Sequence, residues 1–308
     1  MYPKYFTHMN AQRYQLFLSP KTRFLNFFRQ LFIISGIDTH IAELTRKSNR
    51  HSLALKLIPP NYLYQLGTFR KCSLQNIKFS VDVSETNGHA TYFGISDTAQ
   101  SKLLSIMKEG MTVYDIGANI GTFALQFAGR VSKTGNVIGF EPGPYTYKQC
   151  LKNISLNHFN NILIFNEGLG ESQSIAALYN VNPHNRGMQR LLADDNTDSY
   201  DKEIVQINTL DNKIETAQLP HPDVIKIDVE GYELKVLRGA RQTLVKHKPV
   251  LFIELDDDNL KEQKNSAIEM ISFLKELGYI IRKADTEEIL DESFDYSSCH
   301  YDIICTCI

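Results

Sequence analysis

Thr112-Val-Tyr-Asp-Ile-Gly-Ala-Asn-Ile-Gly-Thr-Phe123 places a buried strand, a glycine turn and a helix start in immediate succession. Val113, Tyr114 and Ile116 favour extended backbone, Gly117 and Gly121 let it turn and lie close to a ligand, and helix formers resume over residues 122–130. A dinucleotide fingerprint needs Gly-x-Gly-x-x-Gly, its middle glycine letting the pyrophosphate touch the backbone. Asn119 stands in that middle place. An acid at the strand end, Asp115, suits a ligand carrying an ammonium and a sulfonium better than it suits a pyrophosphate. The stretch therefore favours S-adenosylmethionine over NAD, against the plainer reading of a turn that only packs helix on strand.

Alternating elements extend outward from this stretch. Upstream, residues 77–83 and 90–93 read as strands around a turn at 85–88, and Asp97 opens a helix with Gln100 in the place of a capping-box partner and Gly110 just past its end. Downstream come a strand at 136–140 ending in Glu141-Pro142, a helix from Pro144, and a strand at 162–165 closed by Asn166 and Glu167. A hairpin-like excursion of 174–179 with 204–207 flanks a long loop, 180–202. A strand at 224–227 then ends at Asp228, a helix spans about 232–246, and a strand at 250–255 carries Glu254. The tail adds a helix at 266–277 stopped by Gly278 and strands near 279–281 and 301–305. Such alternation predicts a doubly wound, mostly parallel sheet with helices on both faces, and in such a sheet ligands bind outside the carboxyl ends of the strands. Asp115, Glu141, Asp228 and Glu254 all fall at strand ends, which predicts a polar site on that rim.

Composition fits this reading. The 308 residues are 43% hydrophobic and 22% charged, enough to bury a full core. Cys72, Cys150, Cys299, Cys305 and Cys307 are an odd number without framework spacing, and Cys305-Thr-Cys307 is too short for a structural zinc site. A reducing, cytoplasmic compartment is expected, and the first twenty residues lack the apolar core of a cleavable signal. Charge is uneven: residues 1–60 carry nine Lys or Arg against Asp38 and Glu43, a net of +7 that leaves −9 for the rest of the chain. Within that basic part, Phe24, Phe27, Phe28, Leu31 and Ile34 recur at helical spacing, interrupted by Arg29 and Gln30. This stretch, from Pro20 to about Thr45, reads either as a helix packed on the main domain or at a homodimer interface, or as a basic helix peripheral to an anionic membrane at its inner face. Pro59-Pro60 marks a boundary, giving a basic, partly helical extension (1–60), accessory strands and a helix (61–110) and the ligand-binding domain (111–308).

With Asp115-Ile-Gly-Ala-Asn-Ile-Gly121, Phe140-Glu-Pro142 and Ile225-Lys-Ile-Asp-Val-Glu-Gly-Tyr-Glu-Leu-Lys-Val-Leu-Arg-Gly-Ala240 in order, the chain resembles the FkbM-type S-adenosylmethionine-dependent methyltransferases of class I over about residues 80–285. The third motif is the most specific. Pro249-Val-Leu-Phe-Ile-Glu254 fits the strand that follows, and Asn185-Arg-Gly-Met-Gln-Arg-Leu-Leu192 resembles a substrate-side segment more loosely. The resemblance implies a seven-stranded Rossmann-like sheet with its last strand antiparallel, and methyl transfer to a hydroxyl of a sugar or natural product. Gly117, Ala118, Asn119 and Gly121 would form the floor under the methionine moiety. Asp115 would hold the ammonium directly or through water, or else cap the turn. Glu141, beside Pro142, would accept hydrogen bonds from both ribose hydroxyls. Asn166 and Glu167 are placed to meet the adenine edge.

Methyl transfer from a sulfonium is an in-line displacement, so a base must remove the acceptor proton as the bond forms. Asp228, Glu230 and His184 are the candidates. Asp228 can equally position the cofactor amine, Glu230 can cap the helix near Tyr232, and His184 can be a solvated loop residue. No metal is assigned, because Asp256-Asp-Asp258 reads as an exposed acidic loop. The chain lacks the Asn/Asp-Pro-Pro-aromatic cluster that stacks a base amine and any Pro-Cys pair for attack on cytosine, so nucleic acid is not the expected acceptor. The rival readings are a nucleotide-sugar or other NAD(P)-dependent oxidoreductase and a non-catalytic S-adenosylmethionine-binding module.

Overall fold

The computed structural model describes residues 18–47, 53–180, 189–191 and 201–307. They divide into two compact units, one running to Ser96 and the other from Asp97 to Asn180 and from Gln189 onward.

In the first unit, α1 (Pro20–Ser35) starts at Ser19, whose hydroxyl accepts from the Thr22 N–H, with Pro20 in the first turn, and stops at Gly36 in the left-handed conformation. The long amphipathic stretch is thus two helices, since α2 (Ile37–Lys47) begins immediately after Gly36. Asp38 on α2 is buried and accepts the Tyr64 hydroxyl at 3.1 Å. Strands β1 (Phe69–Leu74) and β2 (Ile77–Asp82) form an antiparallel hairpin whose turn residues, Gln75 and Asn76, both take positive φ.

The expected strand at 90–93 is instead part of helix α3 (Thr86–Phe93). Thr91, Tyr92 and Phe93 have β-forming side chains, but together with Gly88 they are buried on a helix, where Gly88, Thr91 and Tyr92 stand at helical spacing. Gly88 is glycine because a Cβ there would lie 2.1 Å from the Asp82 carbonyl oxygen. Close packing of α3 on β2 overrides local strand preference.

The second unit opens with α4 (Thr98–Ile106), capped by Asp97, whose carboxylate accepts the Gln100 N–H at 2.7 Å. Its strands are β3 (Thr112–Ile116), β4 (Asn136–Phe140), β5 (Ile162–Phe165), β6 (Gly168–Leu169), β7 (Ser174–Tyr179), β8 (Arg190–Leu191), β9 (Lys202–Asn208), β10 (Val224–Ile227), β11 (Val250–Asp256), β12 (Ile280–Lys283), β13 (Ile289–Leu290) and β14 (His300–Thr306). The helices between them are α5 (Thr122–Val131), α6 (Pro144–Ser155), α7 (Leu210–Thr216), α8 (Glu233–Gly239), α9 (Arg241–His247), α10 (Asp257–Glu262) and α11 (Ala267–Glu276).

The main sheet has eight strands in the order β13-β12-β14-β11-β10-β3-β4-β5, where seven were expected; the short β13 adds an edge. β11, β10, β3, β4 and β5 run parallel to one another, while β14 is antiparallel to both β11 and β12. Alternation along each strand fills both faces. Tyr114, Ile116, Ile225 and Ile227 pack with Leu234, Leu237, Met270 and Leu274, and Val113, Val137 and Val224 pack with Leu103, Ala124 and Phe127. The excursion is an antiparallel pairing of β7 with β9, extended by β8 and by β6 into a four-stranded sheet.

The single helix expected over about 232–246 breaks into α8 and α9. At the break, a Cβ on Gly239 would lie 1.9 Å from the Gly170 carbonyl oxygen, and Ala240 leaves helical geometry with φ −109° and ψ 5°. Among the described residues, no helix is long and apolar enough to cross a membrane.

Candidate active site

Register places the site. Ile116 pairs with Phe140 and Ile227, Phe140 with Phe165, and Ile227 with Ile253. The residues that follow, Gly117, Glu141, Asn166, Asp228 and Glu254, therefore lie on one row at the carboxyl edge of the parallel strands.

The turn after β3 is built from left-handed residues: Gly117 at φ 84°, Asn119 at 51° and Gly121 at 82°. Each glycine is also a close approach. A Cβ on Gly117 would lie 1.9 Å from the Asp228 carbonyl oxygen, and one on Gly121 would lie 2.8 Å from Cys150 Sγ on α6. Gly117 thus joins the turn to the end of β10, so its primary requirement is packing rather than ligand clearance. Ala118 is buried, and its N–H, with that of Gly117, donates to the Phe140 carbonyl. The Asn119 side chain accepts the Ile120 N–H at 2.7 Å and holds the turn shut.

Glu141 lies almost fully buried beneath this turn. Its Oε2 accepts the Asn119 N–H and its Oε1 the Gly143 N–H, both at 2.9 Å. Burial pushes its pKa up to about 7, although those two hydrogen bonds favour the charged form. Pro142 is half-buried beside it and leads through Gly143 into α6. Asn166 donates both hydrogens of its amide backward, to the Glu141 and Pro142 carbonyls at 2.9 Å. Glu167 pairs with Lys213 and accepts from Asn208 at 3.4 Å. Both expected adenine contacts thus have donors or acceptors engaged in holding the loop, which leaves Asn166 Oδ1 as the freer polar atom.

Asp115 differs from its expected role. It is wholly buried, so its carboxylate has no surface open to a ligand amine. Register sets it directly beside Lys226 of β10, also buried. Lys226 Nζ lies 3.4 Å from Asp115 Oδ1 and 3.3 Å from Asp228 Oδ2, and donates to the Gly117 carbonyl at 3.2 Å. Burial disfavours the lysine charge, but Asp228 and Asp115 outweigh it and raise its pKa. Burial likewise pushes Asp115 up while Lys226 pulls it down, and both Asp115 oxygens lack a well-formed hydrogen bond. One ammonium thereby ties the turn, the floor of β3 and the end of β10 together.

Lys226 was legible in sequence only as the single charge inside an otherwise apolar four-residue strand. Its importance comes from what β3 brings beside it.

Asp228, with a side chain 42% exposed, is the acid of this group that opens to solvent. Beyond it, Glu230 takes a left-handed φ of 55° and turns toward Arg190, at 3.5 Å, and Asn259, at 3.3 Å. The helix-capping role considered for Glu230 belongs to Glu233, whose Oε1 accepts the Val229 N–H at 3.0 Å and the Gly231 N–H at 3.1 Å. Burial first and Asp228 second raise Glu230 to about 8. Glu254 of β11 is raised well above its ordinary range for the same two reasons, and burial with Asp228 brings Asp302, its register partner on β14, to about 7.

Asp228, Glu230 and Glu254 each bring one oxygen to within 4.8 Å of the others, a spacing that can hold a cation; Lys226 and Arg190 already lie against two of them. His184 lies outside the described residues. Arg190 belongs to the segment of loose substrate-side resemblance, but its pairing with Glu230 and Glu262 had no local sequence signal.

This arrangement can bind a hydroxylated, positively charged ligand through carboxylates and can accept a proton at Asp228. Two characterised proteins match part of the chain. The hexuronic acid methyltransferase AglP of Haloferax volcanii is 31% identical over 145 residues, 46% of this chain and 55% of that protein. Methyltransferase 1 of Beauveria bassiana is 30% identical over 144 residues, 41% of this chain and 57% of that protein. The chain thus spans little more than half the length of these relatives. Among solved structures, the methyltransferase FkbM of Methylobacillus flagellatus KT is 21% identical, with a TM-score of 0.40, covering 65% of this chain and 44% of that one. The methyltransferase FkbM domain matches residues 115–281, from the buried aspartate of β3 to β12, which is more than half of the chain. The protein belongs to the FkbM methyltransferase family.

Proposed function

We propose that the chain transfers a methyl group from S-adenosylmethionine to a hydroxyl of a saccharide. The observation that carries this reading is the division of one sheet edge into a carboxylate at Glu141 braced by backbone N–H groups and a cluster of acids around Asp228. The donor set fits the cofactor. Each Glu141 oxygen accepts one backbone N–H and keeps a lone pair, so together they can accept both ribose hydroxyls. Asn119 at the middle of the turn and the carboxylates on the rim oppose a pyrophosphate, which argues against NAD(P).

The cofactor supplies the electrophilic methyl group; the chain supplies alignment and a place for the acceptor proton. Glu230, held by Arg190 and Asn259, brings a carboxyl group beside Asp228 that can hydrogen-bond a hydroxyl of the acceptor sugar. Asp228, fixed by Lys226 and open to solvent, takes the hydroxyl proton. The saccharide class draws on the hexuronic acid named for the Haloferax relative and on the capacity of clustered acids to accept hydrogen bonds from hydroxyls.

Calorimetry with S-adenosylmethionine and NAD(P), followed by radiolabelled transfer to sugar nucleotides, lipid-linked saccharides and uronic-acid glycans, tests the proposal. Asp228→Asn should retain cofactor binding while transfer falls by about 10²–10⁴-fold. Binding of NAD(P) without S-adenosylmethionine would overturn the cofactor assignment. Transfer unchanged in Asp228→Asn but lost in His184→Ala would move the base to the loop. Cofactor binding with no labelled product from any fraction would favour a silent binding module.

A further inference from the structure

The first unit presents an amphipathic helix with its faces inverted. On α1 the inward residues are polar: Asn26, the helix's one buried residue, donates to the Tyr62 hydroxyl at 3.0 Å, and Arg29 donates to the Lys56 carbonyl at 2.6 Å and to Asn26 Oδ1 at 3.3 Å. Most of the large apolar side chains are exposed, while Phe32 and Ile33 are half-buried. Phe24 is 65% exposed, Phe27 62% and Ile34 74%, with Phe28 and Leu31 exposed between them. At about 3.6 residues per turn these five make one continuous stripe along the helix. Phe28 packs edge-on against both Phe24 and Phe27, at 5.0 and 5.7 Å between ring centres, so the stripe is a formed surface. Helix packing in a soluble unit puts such residues inward, and an uncovered stripe of this kind marks a surface that something else covers.

We propose that this stripe lies in the headgroup region of an anionic membrane, with the helix axis parallel to the surface. Charge selects lipid as the occupant. α1 contains Lys21, Arg23 and Arg29 and no acidic residue. On the helical wheel Arg23 falls at one edge of the stripe and Lys21 at the other, where their stems can run along apolar surface while their charges meet phosphates. A second copy of α1 packed on the stripe would offer these cations no carboxylate. With 16 residues, α1 rises about 24 Å, short of the roughly 30 Å hydrocarbon core, so it rests on the bilayer rather than crossing it. The net +7 of residues 1–60 extends the same attraction. The inference stands on α1 alone and holds whatever the acceptor of the methyl group is.

The chain contains no tryptophan, so Phe27→Trp gives a unique reporter on the stripe. With full-length protein and vesicles of phosphatidylcholine alone or mixed with phosphatidylglycerol, its emission should shift to the blue on the anionic vesicles only. In flotation, the triple variant Phe24→Ser/Phe27→Ser/Phe28→Ser and the double variant Lys21→Glu/Arg23→Glu should each partition at least about tenfold more weakly than the parent. Lys71→Glu/Lys246→Glu, an equal charge change at exposed residues off the stripe, should partition within about twofold of it. All variants replace exposed side chains, and circular dichroism checks that they fold. No vesicle binding by the parent, or binding undiminished in the triple variant, overturns the proposal. So does a parent dimer that the triple variant converts to monomer without any vesicle binding, which would assign the stripe to a second copy.

Discussion

The carboxylate at the end of β4 and those at the ends of β10 and β11 share one edge of one sheet, yet different partners hold them. Glu141 is braced by two backbone N–H groups that the turn after β3 and the start of α6 deliver. Asp228 and Glu230 are held by the side-chain cations Lys226 and Arg190, and Glu254 by neither. Backbone donors cannot be altered by substitution, so the Glu141 side is fixed by the fold. Side-chain cations can change one residue at a time, so the Asp228 side can be retuned while the sheet stays intact. On the proposed reading, this is the division wanted between a shared cofactor and a variable acceptor.

The comparison breaks first at Lys226. Its replacement by methionine keeps much of the volume but leaves Asp115 wholly buried without its cation and frees Asp228. Loss of one partner from a buried ion pair costs about 3–5 kcal/mol, and denaturant unfolding of Lys226→Met should show a loss of that order. Restoring part of it with Asp115→Asn in the same chain, in a double-mutant cycle, would show that the pairing itself is responsible. A loss below about 1 kcal/mol would mean that Lys226 is no tie between the two sides.

A smaller effect separates the sides by pH. Folding raises the Glu141 pKa from 4.5 to about 7, so the protonated form is the one the fold favours. Its contribution to stability is full below 4.5 and is lost as pH rises through about 7. Glu230 follows the same sign up to about 8, so the free protein should be easier to unfold at about pH 8 than at pH 6. Cofactor binding should run the other way, because the ribose hydroxyls need the ionised Glu141 as acceptor. Affinity measured by calorimetry should fall about tenfold per unit as pH drops below 7, and Glu141→Gln should flatten that slope while weakening binding by roughly 10–100-fold. Affinity independent of pH in the parent would remove Glu141 from the cofactor site.

How much of this was readable in the chain follows the same division. The row of strand-end acids and the glycine turn are local in sequence, and strand β10 sits at the residues its apolar run marked. What sequence did not show depends on what a neighbouring strand brings. Lys226 becomes a tie only through its register with Asp115, Asp302 joins the acids only through its register with Glu254, and Asp115 loses its expected ligand role because the lysine covers it. The strand expected at 90–93 failed for a related reason: Gly88 reads as a turn residue, whereas the structure uses its missing Cβ to bring a helix against β2. The role of α1 was ambiguous because periodicity marks an apolar face without saying which way it points.

The smallest expected effect is at Glu254, where the two accounts of the acid cluster differ most. Burial and the nearby Asp228 raise its pKa well above the ordinary range, and its Oε2 is buried without a hydrogen-bond partner. Both effects favour the protonated form, and glutamine is its neutral, nearly isosteric replacement. Glu254→Gln should therefore change the unfolding free energy by less than about 1 kcal/mol at pH 7. The variant should gain on the parent as pH rises, because the parent alone must then ionise a buried group beside Asp228. If the three carboxylates instead hold a divalent cation, the same substitution should lower methyl transfer sharply, and chelation should reproduce the loss in the parent. With Lys226 and Arg190 already neutralising two members of the group, the near-silent outcome is expected, together with transfer that survives chelation within about twofold.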